Sequence, residues 1–154
     1  MIKIDVFIKN KNWKKYIPNP KKYLNKKSKE LIKAIPKFKK NKITFTILLG
    51  GNQEIKKLNK KFRKKNKTTD VLSFPFYRKE EAKKKIENIK DLYLGDIILN
   101  YYKITKNNKK EFTKQFNKLW IHGFLHLLGH KHYTNKDFYK MRRLENKLLK
   151  KIND

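Results

Sequence analysis

The 154-residue sequence contains no cysteine. This absence excludes disulfide bonds and metal sites with thiolate ligands, and it fits a reducing cellular compartment. Long apolar stretches are also missing, since no segment approaches the roughly 18 apolar residues of a membrane-spanning helix. The alternating Ile2, Ile4, Val6 and Ile8 predict a strand instead of a signal peptide. We therefore expect a cytoplasmic protein with no membrane partner.

Acidic residues are scarce: there are 13 of them against 43 lysines and arginines, which gives a net charge of +30. A field of this size favours polyanionic partners and makes their binding strongly salt-dependent. A nucleic acid is the natural candidate. The alternative is a solvated surface without specific contacts, because an A+T-rich codon bias also produces a chain rich in Lys, Asn and Ile. The sequence alone leaves both interpretations open.

Histidine is rare too, and all four histidines lie between positions 122 and 132. His122 and His126 are four residues apart, so on a helix they share one face. Gly129 can end that helix and turn the chain back, which brings His132 toward the same point. Three imidazoles hold a zinc ion with its fourth position open, as in catalytic zinc sites. A lone histidine on an apolar helix is more often a hydrogen-bonded core residue, but this clustering favours a metal site.

His130 competes with His132 for the third position. A straight helix rises about 1.5 Å per residue, so His122 and His130 would lie about 12 Å apart along its axis. Nitrogen ligands must lie about 2.1 Å from one zinc ion. We therefore assign His132 to the ligand set, and His130 either to the rim of the site or to a group that supports the ligands. Imidazole also suits nickel and other divalent ions, so the sequence leaves the identity of the metal open.

The spacing of His122, His126, Gly129 and His132 matches the metalloprotease pattern H-E-x-x-H-x-x-G-x-x-H. The glutamate is missing, because position 123 is glycine. In those proteases the glutamate takes a proton from the zinc-bound water. A peptidase built on this chain would need a base from outside the motif. A different substrate is the other possibility.

The histidine segment HGFLHLLGHKH (122–132) resembles the signature of the YbeY family of bacterial rRNA maturation factors. Two further segments agree with that family in order and spacing: LNKKFR (58–63) followed by TDVLSFP (69–75), and LGDI (94–97). One position departs from the pattern, since the family commonly has Asp where this chain has Lys131. A carboxylate there could orient a ligand or move a proton, whereas lysine only donates.

The resemblance implies a single domain over residues 1–154 that acts as a single-strand-specific, zinc-dependent endoribonuclease in 16S rRNA maturation and ribosome quality control. It implies one zinc ion per chain, no nucleotide cofactor, and ribosomal RNA and the small ribosomal subunit as partners. Two alternatives stay open. One is a zinc peptidase-like hydrolase, and the other is a non-enzymatic rRNA- or ribosome-binding assembly factor with a structural zinc.

Arg63 is the predicted catalytic residue outside the histidines. A guanidinium can clamp a phosphate through two parallel hydrogen bonds and stabilise charge in a phosphoryl transition state. Neighbouring cations could follow an RNA backbone, although each alone is more typical of plain surface: Lys61, Lys64, Lys65 and Lys67.

Other polar residues could assist the site. Asp70 and Asp96 are candidates for a base or a supporting partner, with a turn and a strand kink as their structural alternatives. Glu145 could accept a hydrogen bond from a ligand imidazole. Ser73 is not predicted to be a nucleophile, because no accompanying triad motif is present.

Hydrophobic periodicity predicts four strands, at 2–8, 43–49, 70–76 and 93–99, and helices at 20–35, 52–63, 109–128 and 135–152. Residues 78–91 are predicted to be a charged connector that is helical in part. This order predicts an α+β fold with a mixed four-stranded sheet, about five helices, and the metal site on a central buried helix. The second helix carries Ile55, Leu58 and Phe62 on one face. Apolar residues expected in the core are Trp120, Phe124 and Leu127 of the third helix and Phe138, Met141, Leu144 and Leu148 of the last.

Overall fold

Strands and helices interleave along the chain, in a computed structural model that describes residues 1–153. The strands are β1 (Ile2–Ile8), β2 (Lys42–Gly50), β3 (Val71–Pro75) and β4 (Asp91–Asn100). The α-helices are α1 (Pro20–Ala34), α2 (Asn52–Arg63), α3 (Lys79–Asn88), α4 (Lys109–Leu127) and α5 (Asn135–Asn153). Three short 3₁₀ helices occupy Lys11–Lys15, Pro36–Phe38 and Tyr101–Lys103.

The four strands form one sheet in the order β1-β2-β4-β3. Strands β1, β2 and β4 run parallel, and β3 pairs antiparallel with β4. The register between β2 and β4 shifts between Thr44 and Thr46, where Gly95 of β4 has a φ of +131°. Together with five α-helices, this sheet confirms the predicted α+β class and its mixed four-stranded sheet.

The main core lies on one face of the sheet. Side chains alternate across the strands, so Ile4, Phe45 and Ile97 point into a cluster that includes residues of α1, α4 and α5. Ile98 points the other way and joins Ile55 of α2 and Leu72 of β3 in a smaller cluster. Helix α2 therefore covers part of the face opposite to the main helical layer.

Helix α4 is the buried central helix, as predicted. Phe116, Trp120 and Phe124 are fully buried along it. Gly123 lets the helix approach β4 closely, because a Cβ at this position would lie only 2.7 Å from Cγ2 of Ile97. His122 and His126, on either side of Gly123 in the same helix, thus project from a backbone fixed against the sheet.

Two details differ from the predictions. Phe138 is 43% exposed, because the buried stripe of α5 begins one turn later at Met141. The predicted connector contains the regular helix α3, which buries Ala82 and Ile86 four residues apart.

None of the helices within residues 1–153 combines the length and hydropathy required to cross a lipid bilayer.

Candidate metal centre and its cleft

The C-terminal turn of α4 reverses the chain at Gly129, which has a φ of +90°. The amide of His130 donates to the carbonyl of Leu125 at 3.0 Å, and the amide of Gly129 donates to the carbonyl of His126 at 2.9 Å. This pair of bonds is the Schellman motif, in which glycine takes the left-handed position after the helix. The turn confirms the predicted role of Gly129 and returns His132 to the face that carries His126.

The structure brings His122, His126 and His132 into one cluster, in which each offers a ring nitrogen within 4.8 Å of the other two. The Nε2 atoms of His122 and His126 are 3.0 Å apart. Two nitrogen ligands of a tetrahedral zinc, each about 2.1 Å from the ion, lie about 3.4 Å apart. The observed spacing therefore fits a shared metal ion without a large movement. His122 and His126 are half-buried, and His132 is exposed.

Two hydrogen bonds fix which nitrogen of each half-buried ring carries a proton. Nδ1 of His126 donates to the carbonyl oxygen of His130 at 2.8 Å, and Nδ1 of His122 donates to Oε2 of Glu145 at 3.1 Å. Both partners can only accept, so Nδ1 carries the proton, and in the neutral form of each ring Nε2 presents its lone pair to the other histidine. Two bare lone pairs that face each other repel, and a cation bound between them relieves the repulsion. The donor set thus fits a divalent metal ion on chemical grounds.

Burial keeps the ring of His126 neutral. It lowers the pKa of this imidazole to about 4, and the neighbouring His122 lowers it further. At neutral pH the ring is therefore a free-base ligand. Burial also lowers the pKa of His130, with contributions from Lys140 and Lys79.

His130 lies at the wall of the cleft, outside the cluster of ring nitrogens. Its contribution to the centre is the backbone carbonyl that holds His126, a role that no residue-type pattern could have revealed.

The three histidines open into a cleft of about 470 Å³, named here the histidine cleft, whose walls include Arg63, Asp70, Ser73, His130 and Tyr133. Nη2 of Arg63 donates to the carbonyl of Ser73 at 3.2 Å, which anchors the guanidinium at the wall. The Ser73 hydroxyl donates to the carbonyl of Gly123 at 3.4 Å and so ties β3 to α4. An exposed cation and a carboxylate therefore share one open space with the candidate ligands.

The structure separates the other predicted residues from the cleft. The lysines near Arg63 are exposed and are not among the residues that line it: Lys61, Lys64, Lys65 and Lys67. Lys64 ends α2 in the left-handed conformation with a φ of 55°.

Of the two alternatives for Asp96, the structure favours a structural role over a contact with the site. The Tyr93 hydroxyl donates to Asp96 Oδ1 at 2.5 Å and lies 2.7 Å from Oγ1 of Thr46, on the sheet away from the cleft. Burial first, and then the bond to Asp96, raises the pKa of Tyr93 to about 12.

Two exposed residues of the cleft were not singled out as contacts from sequence. The ammonium of Lys131 lies 5.4 Å from the ring centroid of Tyr133, and both line the cleft beside His132. Lys131 thus places a cation at the rim, at the position where the family that this sequence resembles commonly has a carboxylate. The adjacency of a tyrosine to His132 was the only sequence signal for this aromatic wall.

The packing of α4 also explains the missing protease glutamate. A Cβ at position 123 would press on Ile97, so a side chain there requires a shift of the sheet or the helix. The carboxylate nearest to the ligands, Glu145, is bonded to His122 and is held as a positioning residue. These contacts weigh against the peptidase alternative.

The fold and the site together define an α+β protein with three converging imidazoles on a helix and its following turn, at the floor of a cleft with an arginine in its wall. The chain matches the family model described as "Endoribonuclease YbeY" over residues 7–153. It belongs to the YbeY family, as the resemblance of its three segments predicted.

Individual relatives agree. The chain is 46% identical to "Endoribonuclease YbeY" of Pelagibacter ubique (strain HTCC1062), across 99% of this chain and 97% of that protein. It is 42% identical to the protein of the same name from Buchnera aphidicola, across 81% of this chain and 78% of the relative. The solution structure of TM1509 from Thermotoga maritima superposes with a TM-score of 0.55 at 23% identity, covering 99% and 89% of the two chains, which supports the fold.

Proposed function

We propose that this protein is a zinc-dependent endoribonuclease that cleaves single-stranded RNA in 16S rRNA maturation and ribosome quality control. The small ribosomal subunit would be its partner and the cytoplasm its compartment. The printed name of its relatives supports the RNA-cleaving activity. The net charge of +30 supports an RNA substrate.

One observation carries the metal dependence: the Nε2 atoms of His122 and His126 face each other at 3.0 Å beside His132, in an open cleft. A zinc ion held by three imidazoles lowers the pKa of a bound water and polarises phosphoryl oxygens. The open cleft of about 470 Å³ favours a catalytic ion over a structural one, because structural zinc sites are closed by four protein ligands.

The chain's own residues have separate roles in this proposal. Arg63, anchored at Ser73, binds the phosphate and offsets the negative charge that develops as the phosphodiester is cleaved. Asp70 is the carboxylate among the described residues of the cleft wall, and it would accept the proton of the attacking oxygen. Glu145 and the His130 carbonyl hold His122 and His126 in the ligand tautomer.

The test measures zinc content and RNA cleavage on the same preparations of the wild type, His126→Ala and His130→Ala, with folding followed by circular dichroism. His126→Ala removes a proposed ligand and should lose zinc and cleavage together while it stays folded. His130→Ala removes an imidazole from the same segment but keeps the backbone carbonyl, so it should keep zinc.

Cleavage that persists in the folded, zinc-free His126→Ala protein would contradict the proposed metal dependence. A folded variant that loses zinc, with a wild type that binds RNA but never cleaves it, would favour the non-enzymatic assembly factor.

A further inference from the structure

A second cavity adjoins the candidate metal centre on the side of α5. It has a volume of about 250 Å³ and shares only His122 and His132 with the histidine cleft, among the described residues. Its other walls include Lys118 of α4 and Phe138, Arg142 and Asn146 of α5. We name it the α5 cavity. A phosphate at the three histidines would therefore have open space on two sides, the histidine cleft toward β3 and the α5 cavity.

Phe138 is exposed in the α5 cavity and is not one of the residues through which α5 packs on the core. Its side chain is 43% exposed, while α5 packs on the core through Met141, Leu148 and Ile152. Arg142 follows one turn later on the same helix face, with its Cζ atom 5.9 Å from the Phe138 ring centroid. An aromatic face beside a guanidinium is the arrangement on which proteins stack single-stranded bases and pair the adjoining phosphate.

The charges of the cavity point to an anionic ligand. Within residues 1–153, neither Lys118 nor Arg142 lies within ion-pair distance of a carboxylate. The carboxylate in the cavity wall, Glu145, is bonded to His122. The charges of Lys118 and Arg142 are therefore not balanced by a carboxylate, and both lie in the same cavity as the exposed ring of Phe138. The volume of about 250 Å³ lies below the range of about 300–1,000 Å³ that holds drug-sized ligands, so it suits one base.

We propose that the α5 cavity is a nucleotide subsite, in which Phe138 stacks the base next to the phosphate held at the histidines, while Arg142 and Lys118 bind the adjoining backbone phosphate. The amide of Asn146 lies in the same wall and can hydrogen-bond the edge of the base. This inference rests on the proposed RNA-cleaving function and adds a specific contact on the side of the site opposite to β3.

The test compares matched pairs of variants in the full-length, zinc-loaded protein. Phe138→Leu is paired with Tyr139→Leu, since Tyr139 is 67% exposed on the same helix but does not line the cavity. Arg142→Gln is paired with Arg143→Gln, which removes the same charge from the next position. Affinity is measured by fluorescence anisotropy with a short single-stranded 2′-O-methyl oligoribonucleotide, whose integrity is checked on a gel.

Phe138→Leu should weaken binding about tenfold, the usual cost of losing one stacked base, and Tyr139→Leu should change it little. Arg142→Gln should weaken binding more than Arg143→Gln. An abasic scan of the oligonucleotide sharpens the result. One abasic position should cost the wild type about tenfold in affinity and should cost Phe138→Leu almost nothing, because the same stacking contact is already lost.

Equal effects within both pairs, in a protein that binds and cleaves RNA, would overturn the subsite and leave the proposed function intact. A folded wild type that neither binds nor cleaves single-stranded RNA would overturn the proposed function and the subsite with it. Melting temperatures of all four variants confirm that each remains folded, which is expected since all four side chains are exposed.

Discussion

At the scale of single residues, the centre depends on groups that fix the ligands as well as on the ligands themselves. Glu145 is 8% exposed and accepts a hydrogen bond from Nδ1 of His122. A buried carboxylate in this position orients the ring and strengthens its Nε2 atom as a ligand.

We expect Glu145→Ala to lower zinc affinity by about tenfold to a hundredfold. Glu145→Gln keeps an oxygen that can accept the same hydrogen bond, so this variant should lose less zinc affinity than Glu145→Ala. Competition titration with a fluorescent zinc chelator measures both. Equal affinity in the wild type and Glu145→Ala would show that the contact with His122 does not support the ligand.

Gly123 gives a second prediction. In the wild type, Gly123→Ala should lower the free energy of unfolding by about 1–3 kcal/mol, because the added methyl lies 2.7 Å from Ile97. In an Ile97→Ala background the space is free, and the same change should stabilise by up to about 1 kcal/mol, since alanine is the better helix former. Urea unfolding of the wild type, Gly123→Ala, Ile97→Ala and the double variant measures this double-mutant cycle. The same sign in both backgrounds would contradict the packing argument.

The sequence was sufficient to predict the site residues whose positions follow from the geometry of a helix and its terminal turn. His122, His126 and His132 lie where a helix followed by a glycine turn must place them, and their cluster was predicted on that basis. The carbonyl of His130 was not predictable, because every residue has one and only the turn decides where it points. Phe138 was misplaced, because apolar spacing on a helix does not show where the neighbouring layer ends.

At the scale of elements, the turn after α4 determines whether His132 reaches the other two histidines. Its two hydrogen bonds need Gly129 in the left-handed conformation, and Lys79 of α3 packs directly against it. A Cβ on Gly129 would lie 2.9 Å from Cα of Lys79. Helix α3, whose regularity was underestimated from sequence, therefore supports the candidate metal centre from outside the cleft.

Gly129→Ala should destabilise the protein by at least about 1–2 kcal/mol, the cost of a left-handed non-glycine residue, and should also reduce zinc affinity. Gly50→Ala is the matched control, because Gly50 has no positive φ and lies far from the histidines in sequence. Thermal unfolding and zinc titration should separate the two variants. A Gly129→Ala protein with unchanged zinc affinity would show that the turn does not position His132.

Element boundaries were largely predictable where caps mark them. Asn19 accepts from the amide of Lys22 ahead of Pro20, and Thr134 accepts from the amide of Asp137 at the start of α5. Asp96 was harder, since its side chain faces Tyr93 only because the bulge at Gly95 shifts the register of β4. A one-residue shift changes the face of a strand residue, and no periodic pattern reports it.

At the scale of the whole molecule, the net charge of +30 either follows an RNA path or is plain solvated surface. A comparison of two groups of lysines separates these interpretations. One group surrounds Arg63, and the other lies on α1, which packs against β1 at the sheet edge opposite to β3.

Replacing Lys61, Lys65 and Lys67 with glutamine should make the salt dependence of RNA binding shallower by about 2 in log–log slope, at about 0.7 per lost phosphate contact. The same substitutions at Lys22, Lys26 and Lys29 remove equal charge and should change the slope much less. Filter binding over a series of salt concentrations provides both slopes. Equal slopes would assign the lysines near Arg63 to general surface charge.

The position of Glu145 on the last helix has a consequence for how the protein is made. Ribosomes synthesise the wall residues Arg63 and Asp70 before the histidines, and α5 after them. A nascent chain released before α5 is synthesised carries all three imidazoles. It lacks the Glu145 carboxylate that fixes His122 and the apolar residues of α5 that pack on the core. The hydrogen bond that fixes the His122 ring can therefore form only after α5 has been synthesised.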